Sequence, residues 1–494
     1  MSRASTAVRA VTGLVLAGGL AALVSAGGAI DIPGQVAAET AVRTIQVPAG
    51  ASTLVCAGAP AVADAGVDVD DEFAQEAADS EATLQAVTFP REARPPALAQ
   101  LRPMGGSATP LDRAGDLGVA HGSNELDPSV LTVQPFAVEA GLATGASIWR
   151  AESGDLRSVS ASACQAPASD LWVVGGSGEL GHSSTLTIAN PALTPATVSV
   201  ELHGPLGRID TPLLTGLVVA PGSSLSVLLE AHAADVSALA AHVTSSGADV
   251  VATIAHSAVD GITPRGFDIA TPSAAPTTQL LIPGVALTAS LTDQGASSPS
   301  ATSPGSAVRI VNPSDEVAIM SLVLVGPDGE TAIPGADAVT ISPGAVFEVS
   351  LGGLPEGDFA VRIDSDSAVT AAAVLQRGDA ERDLTWVPAV APVTHAVGAV
   401  DGMARLVVTA REDSEITVRT WDASGAALDE RVIHAAAGTT VDVNGAGVAA
   451  VELASSAPVV AAAVYEELDG ALLSVMPLTA DANEQHAVDV LVLN

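Results

Sequence analysis

The sequence predicts an all-β chain of tandem immunoglobulin-like β-sandwich domains after an N-terminal transmembrane or signal segment. Three observations carry that expectation. Apolar residues recur with a period of two, as in a strand with one buried face. A stretch over 172–229 recurs, without a gap, about 122 positions later. Turn signals fall about every 8 to 12 positions, and no convincing amphipathic helix interrupts them.

From the start of the chain, Arg3 and Arg9 precede an uncharged run over 10–30 that ends at Asp31. The run is long enough to span a bilayer, and the arginines favour keeping the start inside the cell. Residues 1–30 are therefore expected to be a signal anchor, holding an extracytoplasmic protein to the cytoplasmic membrane. The alternative is secretion after cleavage behind Ala26, since Val24-Ser25-Ala26 has small residues at signal-peptidase spacing. Residues 31–170 read as an irregular, β-containing region with an acidic loop over 64–81. Asp68, Asp70 and Glu72 alternate there as calcium ligands can, but the glycine and distal glutamate of an EF-hand loop are missing. The only two cysteines, Cys56 and Cys164, are expected to form a disulfide in an exported chain, stapling this region to the repeats.

The repeats are expected at 171–278, 279–385 and 386–494. Asn190-Pro191, Gly204-Pro205, Gly207 and Pro221-Gly222 return as Asn312-Pro313, Gly326-Pro327, Gly329 and Pro343-Gly344. Between these markers, Ala196, Val198, Val200 and Leu202 alternate with polar residues, and Ala318, Met320, Leu322 and Leu324 answer them. Pro-Gly reads as a type II turn between strands, and Asn-Pro ends a strand because proline cannot donate to a ladder. Leu280 to Pro283 is matched in the third copy with Thr385 to Pro388, which places Trp172 and Trp386 in comparable repeat-opening positions. A Ser, Thr and Pro-rich tongue over 288–307 reads as a loop and an O-glycosylation candidate in an exported chain.

The 19 basic residues are all arginine and face 56 acidic ones, for a net charge of -37. Such a chain offers no basic face for phosphates, so no nucleic-acid partner is expected. The nine histidines form no H-x-H or H-x-x-x-H pair, so no metal or other cofactor is expected. No catalytic residue is assigned. Gly175-Gly176-Ser177-Gly178 lacks the spacing of a nucleophile elbow, and Ser177 reads as part of a glycine turn. Asp364 with Asp366, or Asp442 with Asn444, could hold calcium between loops, although turn residues of this kind more often cap their own backbone. Aromatics are 2% of the chain, and Trp149 and Trp421 are the candidates for an exposed sugar-facing pair.

The segment VCAGAP around Cys56, then Cys164 before DLWVVGG, TLTIANP and ATVSVELHGPLG, resembles an uncharacterised family of exported, membrane-anchored actinobacterial proteins catalogued as a domain of unknown function. Ala57 stands where that family would carry proline. The resemblance implies an envelope location and a non-catalytic role. The expected function is a structural or interaction scaffold of the cell envelope, not an enzyme, with an envelope protein or glycan as partner. A carbohydrate-binding or envelope-glycan-processing accessory protein is the alternative.

Overall fold

The computed structural model describes residues 40–46, 49–61, 80–91, 94–136, 139–288, 305–378, 381–402, 404–443, 447–481 and 487–493. The expected membrane segment, nearly all of the acidic loop and nearly all of the 288–307 tongue lie outside them, as does Asn444. The described residues are all-β. Two single-turn 3-10 helices, Pro212–Leu214 and Leu229–Ala231, are the only helical elements among them.

Strand β1 (Thr40–Gln46) pairs antiparallel with the last strand, β36 (Ala487–Leu493), and the two belong to a compact unit of their own. The second compact unit spans Pro48–His486. Its strands fall into four successive groups.

The first group is β2 (Ser52–Cys56), β3 (Glu81–Thr88), β4 (Ala99–Pro103), β5 (Thr109–Pro110), β6 (Asp112–Ala114), β7 (Leu117–Ser123), β8 (Ser129–Val133), β9 (Ala143–Ala151) and β10 (Ser158–Ala163). The second is β11 (Asp170–Val174), β12 (His182–Asn190), β13 (Ala196–Gly204), β14 (Gly207–Ile209), β15 (Leu217–Val219), β16 (Ser223–Leu228), β17 (Ala240–Ser246), β18 (Val251–Asp260) and β19 (Thr263–Ala270). Both groups build the same two antiparallel sheets. The orders are β2-β8-β4-β5 with β10-β9-β3-β7 in the first, where β6 adds a fifth strand beside β7, and β11-β17-β13-β14 with β19-β18-β12-β16 in the second, where β15 also pairs with β13. Within the region expected to be irregular, the described strands therefore follow the same plan as the recognised repeats.

The third group is β20 (Thr277–Leu287), β21 (Ala307–Val311), β22 (Ala318–Gly326), β23 (Gly329–Ala332), β24 (Val339–Ile341), β25 (Val346–Ser350), β26 (Gly357–Arg377) and β27 (Asp383–Pro388). The fourth is β28 (Val393–Ala399), β29 (Arg405–Ala410), β30 (Ser414–Trp421), β31 (Ala427–Ala435), β32 (Thr439–Val443), β33 (Ala450–Glu467), β34 (Leu472–Pro477) and β35 (Thr479–Ala480). In these groups the counterparts of β17 and β18 run on as one long strand, β26 or β33, which passes from one sheet to the other.

The local chemistry of the repeat is reproduced atom by atom. Strands β13 and β22 have the same alternation of buried and exposed residues, as their period-two sequences require. Asn190 Nδ2 donates to Thr194 O and Val219 O, and Asn312 Nδ2 donates to Glu316 O and Ile341 O, so each closes the turn after its own strand. Gly222 and Gly344 sit at φ 65° and 66°, the left-handed conformation that the Pro-Gly turn demands of its second corner.

Two features depart from sandwiches strung in a row. One late strand from each of the four groups, β10, β19, β27 and β34, packs in a closed circuit, β10 on β19, β19 on β27, β27 on β34 and β34 on β10. The cores also cross group boundaries. Val407, Ala462, Val464 and Val475 of the fourth group share a core with the third, and Val87, Ile148 and Val159 of the first share one with the fourth. The arrangement is propeller-like, four two-sheet units about a common axis. Trp386 lies on β27, which pairs with β26, so it sits in the closing strand of the third group and not in a repeat-opening position. The resemblance of Thr385 to Pro388 to Leu280 to Pro283 is one of composition, because both four-residue segments are buried throughout and read as mainly apolar runs.

The Cys56–Cys164 disulfide is formed and closes a separation of 108 residues. It joins the end of β2 to the residue after β10, and so links the two sheets of the first group instead of tying that group to the next. Gly145 on β9 lies beneath it. A Cβ there would stand 2.6 Å from Cys164 Sγ and 2.9 Å from Gln85 O, so only glycine lets the bridge cross.

Candidate functional site

The chemistry of the chain is concentrated on the axis. Period two puts Ser158, Ser160 and Ser162 on one face of β10, and each inner strand contributes a polar side chain to a buried ring. Ser160 Oγ donates to Asp268 Oδ1 at 2.5 Å, and Thr385 Oγ1 and Trp386 N donate to Asp268 Oδ2 at 2.8 and 2.6 Å. Val475 N donates to Thr385 Oγ1, and Ala161 N donates to Ser474 Oγ, which returns the circuit to β10. Beside it, Ser158 Oγ donates to Phe267 O, and Asp383 accepts from Leu384 N and Leu473 N. Burial pushes the Asp268 carboxyl up to about 6, against the pull of its hydrogen-bond donors. Burial likewise raises Asp383 well above the usual carboxylate range, with the neighbouring Asp268 charge adding to the effect.

A second cluster joins the second and third groups. Trp386 Nε1–H donates to His256 Nδ1 at 3.1 Å, which leaves the proton of a neutral His256 on Nε2. Nε2–H then donates to His182 Nδ1 at 3.0 Å, so His182 carries its own proton on Nε2. Burial lowers both pKa values, and the Arg309 charge lowers them further, which keeps the pair neutral. Arg309 stacks on Trp386, pairs with Glu348 at 2.8 Å and donates to Gly176 O and Leu239 O. Ser177 borders the same small cavity, of about 60 Å³. Its hydroxyl donates to Val236 O and accepts from Glu179 N, in keeping with the reading of a glycine turn.

A third cluster joins the first and fourth groups. His395 Nδ1 and Nε2 donate to Asp481 and Glu452 at 2.9 and 2.8 Å, while Arg91 reaches Asp481 and Arg419 reaches Glu452. Burial alone would lower the His395 pKa. The two carboxylates outweigh it and hold the imidazole up at about 9, so it is a cation at neutral pH.

Sequence reasoning missed all three clusters, because each is assembled across strands or groups far apart in the chain. One local signal existed: Asp268 is a lone charge between Phe267 and Ile269 in a strand that is otherwise apolar at that end. Asp364, Asp366 and the candidate stacking residues are otherwise engaged, while Asp442 is exposed and Asp68, Asp70, Glu72 and Asn444 lie outside the described residues. Asp364 accepts from Arg362 and Gln279, and Asp366 caps Ile319 N. No group of three or more potential metal ligands occurs among the described residues. All four tryptophans are buried, which corrects the expectation for Trp149 and Trp421. Trp149 Nε1 donates to Leu156 O and its ring meets Phe267 edge-on, while Trp421 meets Phe89 edge-on.

Among solved structures the chain is similar to one titled "Biofilm associated protein - BSP domain", at 10% identity over 91% of this chain and 99% of that one. The TM-score of that pair is 0.15, so the similarity carries no weight here. No curated protein matches the chain. The model of a family described as "Family of unknown function (DUF5719)" matches residues 119–446, well over half the chain, and the chain therefore belongs to the DUF5719 family.

Proposed function

We propose that this protein is a non-catalytic, extracytoplasmic scaffold of an actinobacterial cell envelope, held to the cytoplasmic membrane by residues 1–30 and presenting a rigid surface to an envelope protein or glycan. The observation that carries this reading is where the arginines go. Arg91 and Arg150 tie the first group to the fourth, Arg208 and Arg309 the second to the third, and Arg377 and Arg405 the third to the fourth. A planar guanidinium with several donors suits such seams better than an ammonium would, which gives an all-arginine basic complement a structural purpose. The titratable clusters on the axis and at His395 are likewise occupied by contacts between groups. Rigidity is what a scaffold requires, and these groups supply it.

Fractionation of the host with intact-mass analysis tests the location. Recovery in membranes with residues 1–30 retained supports the reading, and a chain beginning at Gly27 in the medium overturns the anchor. For the role, a deletion strain is scored for envelope sensitivity to detergent and complemented with a double variant, His182→Gln and His256→Gln. Full complementation supports a scaffold. Failure by a variant that is folded and normally abundant points to chemistry at the imidazole pair and refutes it.

A further inference from the structure

At one end of the axis the four inner strands open into a cavity of about 340 Å³, walled largely by small apolar residues such as Ala163, Ala389 and Pro477. Among the described residues, no charged side chain lines it. Two hydroxyls in its wall, Ser162 Oγ and Ser273 Oγ, are buried and have no hydrogen-bond partner among the described residues. Register explains the first. Ser158 and Ser160, on the same face of β10, use their hydroxyls on Phe267 and Asp268, while Ser162 is one step further along and meets the open space. A buried hydroxyl left unpaired carries a desolvation cost, which a bound group can recover.

We propose that this axial cavity binds an uncharged, mainly apolar small molecule through a hydroxyl, ester or amide group held by Ser162 and Ser273. The volume lies at the lower end of the range usual for small-molecule sites, and a mostly apolar wall with a few convergent polar groups is their common chemistry. Charge decides the class. An anion would be stripped of water with no cation to meet it, in a chain of net charge -37, and a cation would find no carboxylate in the wall. The site is independent of the envelope reading and stands or falls separately from it.

The test uses the full chain and two fluorescent probes, uncharged N-phenyl-1-naphthylamine and its anionic analogue 8-anilinonaphthalene-1-sulfonate. Saturable binding of the first at one site, at least about tenfold tighter than the second, is expected. Ser162→Ala with Ser273→Ala should weaken a probe bearing an added ester several-fold and leave the parent amine less affected. Ser273→Leu, which fills the cavity, and Ala166→Trp, which blocks its exposed mouth without touching the core, should each abolish binding at an unchanged unfolding midpoint. Equal affinity for the two probes overturns the proposal. So does unaltered binding in the folded Ala166→Trp protein, or no saturable binding by wild type, which would leave water as the occupant.

Discussion

Replacing Asp268 with asparagine should stabilise the protein at neutral pH, because the axis holds a carboxyl in a place that disfavours its charge. The ordinary value is 3.8, and burial in the ring raises it to about 6. Below about pH 4 the folded and unfolded chains both hold the proton. Between about 4 and 6 the folded chain retains a proton that the unfolded chain has lost, so stability falls as pH rises, and above 6 the loss levels off. A shift of that size corresponds to about 3 kcal/mol. The Asp268→Asn side chain would keep the geometry: its amide oxygen can accept from Thr385 Oγ1 and Trp386 N, and its NH₂ can donate to Ser160 Oγ. Asp383 titrates in both proteins, and in the variant it is freed from the neighbouring Asp268 charge, so its easier ionisation acts in the same direction as the difference sought. Urea unfolding of wild type and Asp268→Asn at pH 4, 5, 6 and 7 supplies the assay. The advantage of the variant should grow by about 3 kcal/mol across that range. A difference independent of pH would refute the assignment of this carboxyl as a buried, reluctantly ionised group.

His395→Gln tests the opposite end of the pH scale. With its folded value raised to about 9 from 6.5, His395 contributes stability that is complete below 6.5 and lost as pH rises through 9. Its side chain is 19% exposed, so screening reduces the contribution to about 1 to 2 kcal/mol, seen as a wild-type advantage at pH 6 that vanishes by pH 10. Gly145→Ala should cost about 2 to 3 kcal/mol by thermal unfolding, since backbone at Gln85 O cannot retreat from the new methyl as a side chain could; a cost below about 0.5 kcal/mol would show that β9 can shift. Serine at both Cys56 and Cys164 should lose about 4 to 5 kcal/mol on the chain-entropy model, measured by calorimetry against the oxidised protein.

The all-β class, the second and third groups and the turn chemistry at Asn190, Gly222 and their counterparts were legible because they rest on local rules, a period of two and fixed punctuation. The inner strands were not legible, for a physical reason. Strand β10 reads SVSASA, three serines alternating with small apolar residues, which by pattern is a strand with one face in water. In the structure both faces are buried, and on the serine face Ser160 meets the Asp268 carboxylate and Ser158 the Phe267 carbonyl. A polar residue satisfied by a partner about 100 to 300 positions away looks, within its own window, like a solvated one. The same holds for His182 and His256, whose meeting depends on the pairing of β12 with β18. The first group escaped notice because its markers, not its pairing order, differ from the repeat.

The closed circuit of inner strands also bears on how many copies the chain can have. In an open stack each repeat contacts only its neighbours, and copies can be added or lost at an end. Here β10 of the first group packs against β34 of the fourth as well as against β19 of the second. Gln85 donates to Ala449 O, Arg150 pairs with Glu467, and Thr144 meets Thr479, so the first-to-fourth seam is bonded like the others. Removing a group would bring together faces that have no complementary partners and would leave the carboxyls of Asp268 and Asp383 without the donors that make their burial tolerable. The polar axis therefore acts as a constraint on closure: apolar cores alone would tolerate other arrangements, while the hydrogen bonds that link Ser160 to Asp268, Asp268 to Thr385, Thr385 to Val475 N and Ser474 to Ala161 N are complete only when four strands meet.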